Sequence, residues 1–172
     1  EEVAAADAAV ARSEVEVARM QHEGAVAQLQ FEETLLEHHA LTAPFDALVV
    51  GAGFAGMHTL VRLRQMNMTA LVIEKGSDVG GTWYWNRYPG ARCDVPSLDY
   101  SVPWDPELDQ QWYWTEKYST QPEILTYATH LADRHDMRRD IRFDTTVTSA
   151  TWDEARRLWA VTTDKGDAYE AR

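Results

Sequence analysis

The chain has 172 residues, 45% hydrophobic and 26% charged, the balance of one folded domain rather than a disordered segment. Sixteen Lys and Arg against 28 Asp and Glu leave a formal charge of −12, which argues against nucleic acid or a membrane surface as a partner. A single cysteine, Cys93, rules out an internal disulfide and a cysteine-based zinc site, and with no apolar run of about 20 residues and no signal peptide it fits a cytoplasmic protein.

Residues 1–40 stand apart. They carry nine acids against Arg12 and Arg19, contain no Pro and are rich in Ala, Glu and Gln, a composition that predicts helix. Val3, Val10 and Val17 keep a heptad spacing, but the next step falls on Gly24; Leu29, Phe31, Leu35 and Leu36 form a second, shorter stripe. Heptads this brief point to an acidic, solvated helical extension, with a partner-docking helix as the competing reading. Leu41 to Phe45, containing Pro44, reads as a linker.

From Ala47 the period changes. Ala47 to Val50 is a short apolar run ending in glycines, the pattern of a buried parallel strand, and Met57, Leu60, Val61 and Leu63 then recur at helical spacing through Met66. Ala70 to Ile73 is a second apolar strand, which completes a βαβ unit. A Trp- and Pro-rich stretch follows from Lys75 to Ser119, broken by a helix that Asp105 caps with Pro106 in its first turn. Thr120 and Glu123 are spaced as a capping box, with Pro122 between them, and predict a helix over Gln121 to Arg134. Ile141 to Phe143 is expected as a third parallel strand. Val147 to Trp152, Leu158 to Thr163 and a last strand after the Asp164 to Asp167 turn are expected as an antiparallel meander alternating between core and solvent.

Gly51-Ala52-Gly53-Phe54-Ala55-Gly56 has the spacing G-x-G-x-x-G and lies where that motif acts, after a strand and at the start of a helix. Gly51 permits the tight turn, Gly53 lets the backbone approach a diphosphate, and Gly56 lets the helix pack close to the strand. The helix N-terminus offers free N–H groups and the positive end of its dipole. Glu74, about 20 residues on, ends the second strand, where a carboxylate accepts hydrogen bonds from ribose hydroxyls and repels a 2′-phosphate. This favours FAD or NAD over NADP and leaves the first two open. The aromatic run Thr82-Trp83-Tyr84-Trp85, with Tyr88 and Trp104, could wall a flavin ring or simply fill a core.

The segment from Gly80 through Asp94 (GGTWYWNRYPGARCD), the run from Glu116 to Leu125 (EKYSTQPEIL) and Ile141 to Thr148 together resemble the Baeyer–Villiger monooxygenases, the class B flavoprotein monooxygenases, with phenylacetone and steroid monooxygenases nearest. The resemblance runs from about Phe45 to Arg172. It implies a Rossmann-like α/β FAD-binding fold, a βαβ parallel sheet with an antiparallel meander. It also implies an enzyme that oxidises a ketone to an ester or lactone with FAD, NADPH and dioxygen. By the same resemblance Gly51, Gly53, Ala55 and Gly56 hold the FAD diphosphate, and Glu74 its adenosine ribose. Thr82, Trp83, Tyr84 and Trp85 line the middle of the flavin, with Asp94 and Tyr100 nearer the ring, and Val147 meets the adenine through its backbone. Arg92, Cys93 and Asp94 contact the nicotinamide coenzyme, and Asp94 orients an arginine that lies beyond this sequence. Pro96 departs from the Glu that near relatives often carry.

A second glycine fingerprint, the family's linker motif and a substrate domain are not found. Residues 45–172 are therefore expected to be the N-terminal part of the FAD-binding domain, inactive alone, and the oligomeric state is not legible. The competing functions are another FAD- and NADPH-dependent monooxygenase, N-hydroxylating or sulfoxidising, and a non-catalytic nucleotide-binding module. His38 with His39 and His130 with His135 lack the spacing of metal ligands, so no metal is expected. Cys93, between Arg92 and Asp94, reads as structural.

Overall fold

The computed structural model describes residues 16–23, 26 and 45–172. Residues 16–23 are helical and exposed, and among the described residues Arg19 pairs along its own helix, with Glu16 and Glu23. The rest of the expected extension, with Val3 and Val10 of its heptad, lies outside the described residues, as do the linker residues before Phe45.

Strand β1 (Ala47–Val50), helix α1 (Phe54–Gln65) and strand β2 (Ala70–Ile73) form the βαβ unit, with Leu48 opposite Leu71 in parallel register. Strand β3 (Ile141–Arg142) joins the far side of β2, giving the order β1-β2-β3, one residue shorter than the apolar run suggests. Helix α4 (Gln121–Arg134) has the expected bounds. Between β2 and α4 lie two short helices, α2 (Thr82–Trp85) and α3 (Pro106–Gln111), and a 3-10 turn over Ser97–Tyr100. Strands β4 (Val147–Asp153), β5 (Leu158–Thr163) and β6 (Ala168–Ala171) form the antiparallel meander.

Successive side chains of a strand point to opposite faces, so the short apolar strands serve two cores. Val49, Ala70 and Val72 face α1 and α4, packing with Met57, Leu60, Tyr127, Ala128 and Leu131. Leu48, Leu71 and Ile73 face the meander and pack on Val161 and Tyr169. The result is three layers: helices, parallel sheet, antiparallel sheet. Phe45 packs in the second core and bridges to Ala171, so it belongs to the sheet and not to a linker.

Two local expectations fail. Thr120 is the N-cap of α4, yet its side chain caps nothing; Glu123 instead accepts hydrogen bonds from the Thr115 N–H at 2.8 Å and the Thr115 hydroxyl at 3.0 Å. The meander does not alternate cleanly either. β4 is exposed from Thr148 through Trp152, and the Trp152 and Trp159 rings pack tilted at 57° with centroids 5.5 Å apart while staying 40% and 43% exposed. The parallel sheet covers the Val161 end of the meander and leaves this end open to solvent.

Candidate functional site

The chain leaves β1 still tied to β2, with the Gly51 N–H donating to the Ile73 carbonyl at 2.8 Å, and turns at Gly51 with φ +96°. The Met57 N–H then donates to the Gly53 carbonyl at 3.0 Å, opening α1 at Phe54. A Cβ built on Gly56 would sit 1.9 Å from the Gly51 carbonyl oxygen, so only glycine lets α1 press onto the loop. A second close approach is made from α2. A Cβ on Gly81, at φ +53°, would lie 2.8 Å from the Gly53 Cα, and the Gly80 N–H donates to the Ala52 carbonyl at 3.0 Å. The two glycine loops therefore pack backbone against backbone. No acidic residue occupies the first turn of α1, which leaves its free N–H groups and dipole available to an anion.

Two clefts flank these loops. One, of about 470 Å³, is lined by Gly51, Gly53, Phe54, Ala55, Gly56, Gly80, Gly81, Thr82, Trp83 and Tyr100. The other, of about 510 Å³, is lined by Glu74, Lys75, Trp85, Asn86, Thr145, Thr146 and Val147 among others. Val50, Gly51, Gly53, Gly81 and Thr82 border both, so the clefts are two lobes of one elongated site. Tyr100 meets Phe54 edge-on at 5.4 Å and Trp83 edge-on at 5.7 Å, which gives the first lobe an aromatic wall. Burial pushes the Tyr100 hydroxyl up, and the nearby Cys93 and Asp94 add to the effect. In the second lobe Glu74 is 4% exposed and accepts the Ala52 N–H at 2.5 Å and the Gly76 N–H at 2.6 Å.

Gly51, Gly53, Ala55, Gly56, Trp83 and Tyr100 thus meet in the aromatic lobe, Glu74, Trp85 and Val147 in the other, and Thr82 borders both. Tyr84 lines neither: its hydroxyl lies 2.8 Å from the Ser77 hydroxyl and its ring under the Arg87 guanidinium. Arg92, Cys93 and Asp94 line neither. Arg92 pairs with Glu116, which holds its guanidinium above the ordinary arginine value, and donates to the Tyr118 carbonyl at 2.9 Å. Cys93 is buried behind Trp83 with Ile124, and Asp94 is exposed on a bend. Phe54, Gly81, Lys75, Thr145 and Thr146 line the site as well, without an individual site role expected of them from the sequence. Of these, only Gly81 had a visible signal, a glycine pair directly before an aromatic run. Among the described residues, no group of three or more His, Cys, Asp or Glu is placed to hold a metal ion. Nor is any helix among them long and apolar enough to cross a membrane.

Residues 49–106 match the family model for an NAD(P)-binding Rossmann-like domain. The chain is 43% identical over 129 residues to the phenazine N-monooxygenase PhzNO1 of Lysobacter antibioticus, covering 74% of this chain and 24% of that protein. It is 45% identical over 131 residues to a Baeyer–Villiger monooxygenase of Pseudooceanicola batsensis, covering 76% of this chain and 25% of the relative. The structure of an oxidized steroid monooxygenase bound to NADP superposes with a TM-score of 0.73 at 58% identity, over 75% of this chain and 25% of that one. The chain spans about a quarter of the length of the relatives it matches. At these identities and this degree of superposition, the chain belongs to the Baeyer–Villiger monooxygenase family and corresponds to the N-terminal, FAD-binding Rossmann-like part of such enzymes.

Proposed function

We propose that this chain supplies the FAD cradle of an enzyme that oxidises a ketone to an ester or lactone with NADPH and dioxygen. The observation that carries the reading is the elongated two-lobed site, with close-packed glycine backbone at its waist, a buried carboxylate at one end and an aromatic wall at the other. Gly51, Gly53, Ala55 and Gly56 bring N–H groups to the diphosphate, Glu74 accepts from the adenosine ribose, and Val147 borders the adenine. Thr82, Trp83 and Tyr100 face the flavin, whose redox chemistry, when it is bound, activates dioxygen. The aromatic wall excludes water from that end. Trp85, with Lys75 5.9 Å from its ring centre, serves the adenosine end rather than the flavin. Tyr84 acts from behind, bracing the turn at Gly76 and Ser77. Arg92, Cys93 and Asp94 are assigned to the nicotinamide coenzyme, and Asp94 to orienting an arginine carried outside this chain. Residues 45–172 form the N-terminal part of the FAD-binding domain, and residues 1–40 an acidic extension. The single buried thiol suits a cytoplasmic, reducing setting.

N-oxidation is the second reading, favoured by the likeness to a phenazine N-monooxygenase. A chimera tests the flavin cradle that both readings share: residues 45–172 replace the matching quarter of a steroid monooxygenase. The expected product is a flavin-loaded protein that turns a steroid ketone into its ester under NADPH. A chimera that folds but retains no flavin overturns the reading.

A further inference from the structure

Both carboxylate oxygens of Glu74 already accept backbone N–H groups of the protein, each keeping a further lone pair for a ligand. Its Oε2 accepts the N–H of Ala52, the middle residue of the first glycine turn, at 2.5 Å, and its Oε1 accepts the N–H of Gly76 at 2.6 Å. Its backbone N–H donates to the Arg142 carbonyl at 2.9 Å, and its carbonyl accepts the Thr145 N–H at 3.0 Å. The fingerprint loop, the turn after β2, the end of β3 and the loop leading to β4 therefore all end on one residue. The Ala52 carbonyl in turn accepts the Gly80 N–H at 3.0 Å, which extends the chain of contacts to the second glycine loop.

We propose that Glu74 is a positioning residue for the diphosphate cradle: its carboxylate fixes Ala52, and through Ala52 the Gly80–Gly81 loop, in the arrangement that receives the cofactor. This rests on the FAD reading above and adds to it a task that precedes ribose binding. A buried carboxylate is costly unless its oxygens are occupied by donors, and here two backbone N–H groups occupy them. A carboxylate offers only acceptors, whereas glutamine in the same shape offers one acceptor and one NH₂ group. The NH₂ would face either the Ala52 or the Gly76 N–H, donor against donor. Glutamine therefore disrupts the cradle even with no ribose present, whereas a side chain acting on ribose alone leaves the empty protein untouched. Gly76 is held from its other side as well, its carbonyl accepting the Asp144 N–H at 3.0 Å, and it has neighbours so close that a Cβ built on it would lie 2.8 Å from the Tyr84 ring.

The test is amide hydrogen exchange on the ligand-free chain, read residue by residue by NMR, with FAD titration alongside. In the parent chain the Ala52, Gly76 and Gly80 amides exchange slowly. In Glu74→Gln they exchange roughly tenfold faster or more, while Val49 and Val72 in the sheet are unchanged, and the FAD dissociation constant rises roughly 10- to 100-fold. The proposal is overturned if Ala52 and Gly76 exchange at open-loop rates in the parent chain, a result that does not depend on the variant folding. It is equally overturned if the variant loses FAD affinity with these amides unchanged, since Glu74 then acts on ribose alone. If the exchange pattern holds but the parent chain binds no FAD, the FAD reading falls and the positioning role stands.

Discussion

Asp105 joins segments that are distant in sequence. Its carboxylate caps α3 by accepting the Leu108 N–H at 2.9 Å, takes a hydrogen bond from Arg134 Nε at 2.8 Å, and lies 2.7 Å from His135 Nε2. The side chain is only 8% exposed. Burial by itself raises the carboxyl, but the hydrogen bonds from Arg134, the Leu108 N–H and His135 outweigh it and bring it from 3.8 to about 2. A carboxyl lowered on folding contributes stability that is complete above its ordinary value and is lost as the pH falls through the folded one. Asp105→Asn keeps the shape and an acceptor for the cap but removes the charge. It should cost about 2 kcal/mol near neutral pH. In urea unfolding, the gap between parent and variant should close as the pH drops from about 4 towards 2. A gap that stays constant over that range contradicts the role given to the charge. The cap was legible in the sequence from Asp105 followed by Pro106; the ion pair to Arg134, 29 positions away, had no sequence signal.

At the scale of elements, the most constrained contact is that of α1 on its own entry loop. Gly56→Ala places a Cβ 1.9 Å from a backbone oxygen that no side-chain rotation can move. The helix must lift, at a cost of roughly 1–3 kcal/mol in urea unfolding. FAD affinity by fluorescence titration should fall at least about tenfold, because the lifted N–H groups no longer converge on the diphosphate. An alanine variant with parental affinity would mean that the helix does not form the diphosphate site. The same elements show what a sequence reveals. β1, α1, β2 and α4 could be read to within a residue because each couples an apolar period to a punctuating glycine or proline. The capping box at Thr120 could not be judged that way, since spacing does not reveal that Glu123 is drawn to Thr115 by a tertiary contact. α2 and the 3-10 turn at Ser97–Tyr100 are too short to carry a period at all. The alternation expected of β4 failed because exposure there is set by where the parallel sheet ends, not by the strand itself.

Across the whole molecule, the site draws on four stretches that only the fold brings together: Val50 with the glycine turn, the segment from Ile73 through Asn86, Tyr100, and Thr145–Val147. The glycines and Glu74 were legible because their chemistry dictates their spacing. The division of labour within Thr82–Trp85 was not, because it depends on helix geometry: positions two apart on a helix face opposite ways. Trp83 accordingly joins the aromatic lobe and Trp85 the other, while Tyr84 turns back onto Ser77. Every residue assigned above to the proposed cradle lies in this chain, so binding can be measured on the chain as it stands. That measurement is a titration of the 172-residue protein with FAD, followed by flavin fluorescence, with NAD and NADP as competitors. The account predicts saturable one-to-one binding, with flavin emission quenched as the ring meets Trp83 and Tyr100, and no displacement by equal concentrations of NAD or NADP. Absence of saturable quenching, or displacement by NAD as readily as by FAD itself, would contradict it.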